Sequence, residues 1–267
     1  MPRFVLRNGE RYVHDTGAGH PVVLLHGFPL DHSMWSAQID ELSKSYRVLA
    51  PDFCGFGQSA VDSGTITMTR HAEDVSDLLQ ALEIQQPVTV CGLSMGGYVA
   101  LAFWQHFRHQ LGALILCDTR AAADTQEALD RRFRLADVVL EHGTHAVAEA
   151  MIPQLFAAGT LEAQPDTVDQ VRQLIHGADR QGVAAALHGM AARRDMTTRL
   201  AEIEQPALLV VGSEDQLTPP DEMRLMAEAL PAGQLSVIDG AGHMAPMEQP
   251  QLVNTAITQF LDRLPTA

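Results

Sequence analysis

Positive charge is scarce in this chain. Against 33 Asp and Glu stand only 18 Lys and Arg in 267 residues, a formal net charge of −15. A surface of that sign repels phosphate backbones and anionic headgroups, which argues against nucleic acid and membrane as partners. Long apolar runs are missing too: none approaches the ~20 residues that a membrane-spanning helix needs. The opening residues MPRFVLRNGERYVHD hold no contiguous apolar stretch, so no secretory leader is read there and a cytoplasmic location is expected. Cysteine is nearly absent. The three present, Cys54, Cys91 and Cys117, are an odd number, and Cys91 and Cys117 fall in apolar runs. They read as small packing residues in a reducing compartment rather than a disulfide framework. There is no CxxC, no HExxH and no histidine cluster at ligand spacing, so no metal is expected. A phosphate-cradling loop is wanting, because Gly17-Ala18-Gly19-His20 and Gly55-Phe56-Gly57 lack its length and its lysine. The chain is therefore expected to work without a cofactor.

What is present is a patterned core. At 46% hydrophobic residues, a chain of this length can bury one large interior. Strand-like runs are expected at about 3–7, 11–15, 22–25, 48–50, 87–91, 113–117, 208–211 and 235–238, the first two joined by the hairpin signal Asn8-Gly9. Between them lie helical stripes: Val75, Leu78, Leu79, Leu82; Met223, Met226, Ala227, Leu230; and Val253, Ile257, Phe260, Leu261, Leu264. Such alternation specifies an α/β fold, a parallel sheet covered by helices on both faces. One region breaks the pattern. From about Thr119 to Leu200 no strand run occurs, and helix signals follow one another: Asp124-x-x-Glu127 as a start, Gly143 a stop, Pro165-Asp166 a start, Gly177 a stop.

The chemistry concentrates at strand ends. Gly92-Leu93-Ser94-Met95-Gly96-Gly97 sits between an apolar run and a helical one, the sequence form of a nucleophile elbow. Such a turn strains the backbone at Ser94 and needs small residues at Gly92 and Gly96 for strand and helix to approach. The pattern alone recurs by chance in roughly one chain of this size in ten at average composition, so its surroundings decide. Upstream, Val22–Leu25 ends in His26-Gly27-Phe28-Pro29, a loop placed to give a second backbone donor to an oxyanion beside that of Met95; the candidate is the Phe28 amide. Downstream, Leu208–Val211 runs into Gly212-Ser213-Glu214-Asp215, and Leu235–Ile238 into Asp239-Gly240-Ala241-Gly242-His243. Nucleophile, acid and base thus occur in the order Ser94, Asp215, His243, each past a strand end where ligands of open parallel sheets bind. Glu214 is an alternative acid beside Asp215, and Asp118, after the run 113–117, is another. Of the 12 histidines, only His243 follows a strand run with glycines at 240 and 242 beside it.

The whole chain resembles an α/β-hydrolase of the cofactor-free serine esterase branch. The resemblance rests on HGFPLDHSMW (26–35), PDFCGFGQS (51–59), CGLSMGGYVALAF (91–103), GSEDQLTPP (212–220) and GAGHMAPMEQP (240–250). CGLSMGGYVALAF together with LILCDTRAAAD (114–124) is most similar to the 3-oxoadipate enol-lactonase group. The resemblance implies a mostly parallel eight-stranded sheet, with residues 1–118 and 201–267 as the core and 119–200 as an inserted helical cap. It implies Ser94 as nucleophile, His243 as base, Asp215 as acid, and the amides of Phe28 and Met95 as oxyanion donors.

Expected substrates are small esters or lactones, bound as small molecules beneath the cap. His26, Trp35, Arg120, Arg131, Leu155, Met190 and Leu217 are the expected substrate contacts. An enol-lactone carrying a free carboxylate would need a cationic anchor, and Arg120, Arg131, Arg132, Arg134, Arg193 and Arg194 are the candidates. Serine at position 94 argues against haloalkane dehalogenase and epoxide hydrolase chemistry, which would place aspartate there. Carbon–carbon bond hydrolases, hydroxynitrile lyases and cofactor-free perhydrolases use the same three residue types, and Pro29 beside the oxyanion loop bears on the last. The non-enzymatic alternative is a small-molecule receptor, which ester turnover would discriminate.

Overall fold

A computed structural model describes residues 3–62 and 64–264; residues 1, 2, 63 and 265–267, which belong to the expected core segments, lie outside the described residues. Eight strands form one sheet: β1 (Arg3–Leu6), β2 (Gly9–Thr16), β3 (Pro21–Leu25), β4 (Arg47–Pro51), β5 (Val88–Leu93), β6 (Leu111–Cys117), β7 (Ala207–Gly212) and β8 (Gly233–Ile238). Their spatial order is β1-β2-β4-β3-β5-β6-β7-β8. β2 runs antiparallel to both β1 and β4, and every other pairing is parallel. β3, β5 and β7 are buried along their whole lengths, as strands covered on both faces must be. That is why they read as continuous apolar runs rather than alternating ones.

Helices α1 (Ser36–Leu42), α2 (Met68–Ala81) and α3 (Met95–Phe107) supply the crossovers in the first part of the chain. Five more, α4 (Gln126–His142), α5 (His145–Leu155), α6 (Ala158–Ala163), α7 (Pro165–Gly177) and α8 (Arg180–Ala191), lie between β6 and β7. α9 (Pro220–Ala229), α10 (Ala245–Glu248) and α11 (Pro250–Leu261) complete the fold. Gly143, with φ 83°, terminates α4, and Pro165 opens α7, as their chemistry dictates. The α4 start differs from expectation. Thr125 caps it by accepting from the Ala128 amide, and Asp124 instead turns to arginines. α8 meets the loop after β4 with close backbone approach: a Cβ on Gly182 would lie 2.3 Å from the Gly55 carbonyl oxygen.

Two strand boundaries move. β2 begins at Gly9, which pairs with Leu6, so Arg7-Asn8 forms the turn. β5 continues through Gly92, which pairs with Leu25 on one side and Leu116 on the other. The three cysteines are free and buried; burial pushes the Cys54 thiol up to about 11. Among the described residues, no helix is long and apolar enough to cross a membrane.

Candidate active site

The register of the sheet gathers the site. β3 lies between β4 and β5, so the chain leaves β3 in one direction and returns on its other side, opening a crevice at the strand ends. Because Leu25 pairs with Gly92, residues 26–28 and 93–95 emerge side by side. Because Gly212 pairs with Ile238, the loops holding Asp215 and His243 are neighbours as well.

Ser94 stands between β5 and α3 at φ 51°, a left-handed conformation that a side-chain-bearing residue rarely adopts. The turn is locked from both sides: the Ser94 amide donates to the Cys117 carbonyl at 3.0 Å, and the Thr119 hydroxyl donates to the Ser94 carbonyl at 2.7 Å. A Cβ on Gly92 would sit 2.2 Å from the Gly96 carbonyl oxygen, and one on Gly96 would sit 2.1 Å from that of Leu25. Glycine at both places is thus a steric requirement of the elbow.

The Ser94 Oγ lies 2.9 Å from His243 Nε2, and His243 Nδ1 lies 2.8 Å from Asp215 Oδ2. The Asp215 carboxylate also accepts from the amides of Leu217 and Thr218 at 2.8 and 3.0 Å, and from the Thr218 hydroxyl. Burial works to raise its pKa, but the His243 charge and these donors outweigh it and hold the group below the ordinary carboxylate range. Of the two alternative acids, Glu214 is exposed, and Asp118 behaves oppositely to Asp215. It is fully buried, and one oxygen accepts from the Gly212 amide at 2.8 Å. Desolvation, reinforced by Asp215, pushes its pKa well above the usual range, opposite in direction to that of Asp215.

The Phe28 amide donates to no protein acceptor among the described residues. Its orientation follows from His26, a fully buried side chain whose Nε2 accepts from the Phe53 amide at 3.0 Å. The ring proton is therefore on Nδ1, 2.9 Å from the Gly27 carbonyl oxygen. Pinning that carbonyl turns the Phe28 N–H of the same planar peptide the opposite way. The Met95 amide is the first of α3, with no partner one turn earlier in the helix, and sits at the positive end of its dipole.

A cavity of about 560 Å³ opens above these groups, lined by Phe28, Ser94, Thr218 and His243 below and by α4, α5 and α8 above. Of the expected substrate contacts, Arg120, Arg131, Leu155, Met190 and Leu217 line it, and His26 and Trp35 do not. The correction for His26 is physical, since both ring nitrogens are spent on backbone; Trp35 is fully buried in the core. Arg132 and Arg193 share one partner, Asp124, at 2.6 and 2.7 Å, and Arg120 pairs with Glu222 at 3.2 Å. Arg131 and Arg134 line the cavity with no ion pair among the described residues.

The sequence profile of the alpha/beta hydrolase fold matches residues 20–250. The chain belongs to this family. The hydrolase is 44% identical to a thermophilic esterase from Thermogutta terrifontis, whose malate-bound structure superposes with a TM-score of 0.96 and 98% of each chain covered. It is 27% identical to an enol-lactonase from Burkholderia xenovorans, with a TM-score of 0.90 and coverage of 98% and 100%. It is also 29% identical over 231 residues to 3-oxoadipate enol-lactonase 2 of Acinetobacter baylyi, 86% of this chain and 84% of that one.

One important side chain of the hydrolase escaped the sequence reading. Glu248 is buried, and both oxygens accept two bonds: from the Gly242 and Met244 amides at 2.8 and 3.2 Å, and from the Ala157 amide and Thr160 hydroxyl at 2.9 and 2.6 Å. It thereby ties the loop that carries His243 to the start of α6. Its signal was a lone acid in an apolar context, Met247-Glu248-Gln249-Pro250, which by itself names no partner. Tyr98, Leu135, Val138 and Gln154 also line the cavity and were not foreseen as contacts, because helix periodicity does not say which face meets a neighbour.

Proposed function

We propose that this hydrolase is a serine-dependent carboxylic ester hydrolase, acting on small esters or lactones through an acyl-enzyme. The supporting observation is the continuous path Ser94 Oγ, His243, Asp215 at 2.9 and 2.8 Å. His243 takes the hydroxyl proton as Ser94 attacks the carbonyl carbon, and the ionised Asp215 stabilises the imidazolium and fixes its orientation. The oxygen that gains charge is held by the Phe28 and Met95 amides. His243 then gives the proton to the leaving alcohol, and water, activated by the same ring, releases the acid.

In this reading residues 119–200 are a cap over the core formed by residues 1–118 and 201–267. Its apolar lining (Leu135, Val138, Met151, Leu155, Leu187 and Met190) favours short, largely hydrocarbon acyl or alcohol groups. A second reading, enol-lactone hydrolysis, draws support from Arg131 and Arg134, cations at the cavity that no protein carboxylate neutralises among the described residues. The deciding experiment is Ser94→Ala assayed with p-nitrophenyl esters, together with mass analysis after a serine-directed organophosphate. Turnover should vanish and the label should fall on Ser94; retained turnover in the variant refutes the proposal. A panel of graded esters, lactones and a carboxylated enol-lactone then ranks the two readings.

A further inference from the structure

Of the buried and half-buried polar side chains that line the large cavity, protein partners engage all but one among the described residues. Ser94 and His243 are joined to each other, and the Thr218 hydroxyl donates to Asp215. Asp124 accepts from Arg132 and Arg193, while Arg120 pairs with Glu222 and donates to the Leu217 carbonyl. Arg131, Arg134 and Gln154 are exposed, within reach of water. The exception is Tyr98, which is only 8% exposed and whose hydroxyl has no hydrogen-bond partner among the described residues. The Arg120 Nε is also unpartnered but sealed from solvent, whereas the Tyr98 hydroxyl stays accessible.

Tyr98 lies one helical turn beyond the nucleophile, its amide donating to the Ser94 carbonyl at 3.2 Å. Residues four apart share a helix face, and long side chains lean back toward the N-terminus, which puts this ring on the Ser94 side of α3. The ring also borders a smaller cavity of about 240 Å³, lined by neither Ser94 nor His243. Its plane is held by Arg193, whose guanidinium carbon lies 4.2 Å from the ring centroid. That guanidinium is fixed in turn by Asp124 at 2.7 Å and by the Met190 and Ala122 carbonyls at 3.1 and 3.0 Å. A positive charge on the ring face draws electron density from the phenol, which makes its hydroxyl the better donor and the poorer acceptor.

We propose that the Tyr98 hydroxyl binds substrate and selects esters or lactones with a second, uncharged acceptor oxygen, an ether or carbonyl beyond the scissile group. A substrate of hydrocarbon alone displaces water from the hydroxyl and leaves it unpaired beneath an apolar roof, whereas a second oxygen restores the bond. This assignment narrows the substrate class of the proposed ester hydrolase and rests on that proposal.

The test compares Tyr98→Phe with the unmodified protein on pairs of esters that differ by one CH₂ replaced by an ether oxygen. On the acyl side these are p-nitrophenyl butyrate with methoxyacetate and pentanoate with 3-methoxypropanoate; on the alcohol side, butyl acetate with 2-methoxyethyl acetate. Intrinsic reactivity cancels in the ratio of the two proteins on one ester. The substitution keeps the ring and its contact with Arg193, and thermal unfolding checks that the variant is folded. In at least one pair kcat/KM for the ether member should fall about fivefold while its hydrocarbon partner stays within about twofold. Equal change of both members in every pair, including no change at all, overturns the role of Tyr98 and leaves the serine chemistry standing. Absence of turnover of every ester by the unmodified protein overturns both.

Discussion

The floor and the roof of the large cavity are held together by different means. On the floor, Ser94, His26 and Asp215 are fixed by directed hydrogen bonds with backbone near the ends of β3, β4, β6 and β7, and His243 by the side chains of Asp215 and Ser94. The roof is a set of amphipathic helices whose cavity-facing residues are mostly apolar chains and arginines, with Gln154 among them. Directed bonds specify one geometry and tolerate little displacement, whereas apolar packing sets volume and tolerates exchange of like for like. The floor should therefore decide whether reaction occurs, and the roof what reacts.

The sharpest way to break that division is at the floor. Asp215→Asn should lower kcat on a p-nitrophenyl ester by a factor on the order of 10⁴, as expected for loss of the group that orients the base. Asp118→Asn should leave turnover within the same order of magnitude, and equal losses in the two variants would return Asp118 to the role of acid. These carboxyls also differ in linkage. Asp118 has a folded pKa raised above 3.8, so the native state retains a proton that the unfolded chain releases, and stability falls as pH rises through that window. Asp215 has a depressed pKa, so its contribution is present above the unfolded value and is lost only as pH falls through the lower folded one. Chemical unfolding across pH should show the first slope flattened in Asp118→Asn.

At the seam between floor and roof, Glu248→Gln places an NH₂ group against donors that now meet a carboxylate. Kcat should drop on the order of 10²-fold through misplacement of His243, with KM changed less, and stability should fall by about 3 kcal/mol. Stability loss without any kcat effect would make Glu248 a fastener of the roof alone. The roof should give milder effects. Arg131→Ala combined with Arg134→Ala should raise KM for a carboxylated lactone about fivefold and leave neutral esters unchanged. Leu187→Ala should shift the preferred acyl chain upward by about one or two methylenes, a difference of about 1–2 kcal/mol in kcat/KM between neighbouring homologues. A uniform loss over all chain lengths would deny the roof its selecting role.

The floor was the more legible half. Buried parallel strands announce themselves as short apolar runs, and in this architecture candidate residues follow those runs directly, so Ser94, Asp215 and His243 stood out as candidates, with Glu214 and Asp118 as alternative acids. Gly92 misled in a small way: read as the end of the strand, it remains in the ladder because the lack of a side chain lets the Gly96 carbonyl approach. His26 was expected to touch substrate, and only the fold, which brings the Phe53 amide to its ring, shows both of its nitrogens engaged with backbone. In the roof, helix starts at Pro165 and stops at Gly143 and Gly177 were readable, yet which of the arginines face the cavity unpaired was not.

The amino-acid order alone determined the strand and helix sequence, the elbow glycines and the succession of serine, acid and histidine, because each follows from local patterning within a few residues. The tertiary structure decided which acid has its pKa pushed up and which has it held down, which arginines are neutralised, and that Glu248 joins residues 157 and 160 to residues 242 and 244. Those outcomes depend on desolvation and on partners distant along the chain, quantities that exist only once the segments have packed together.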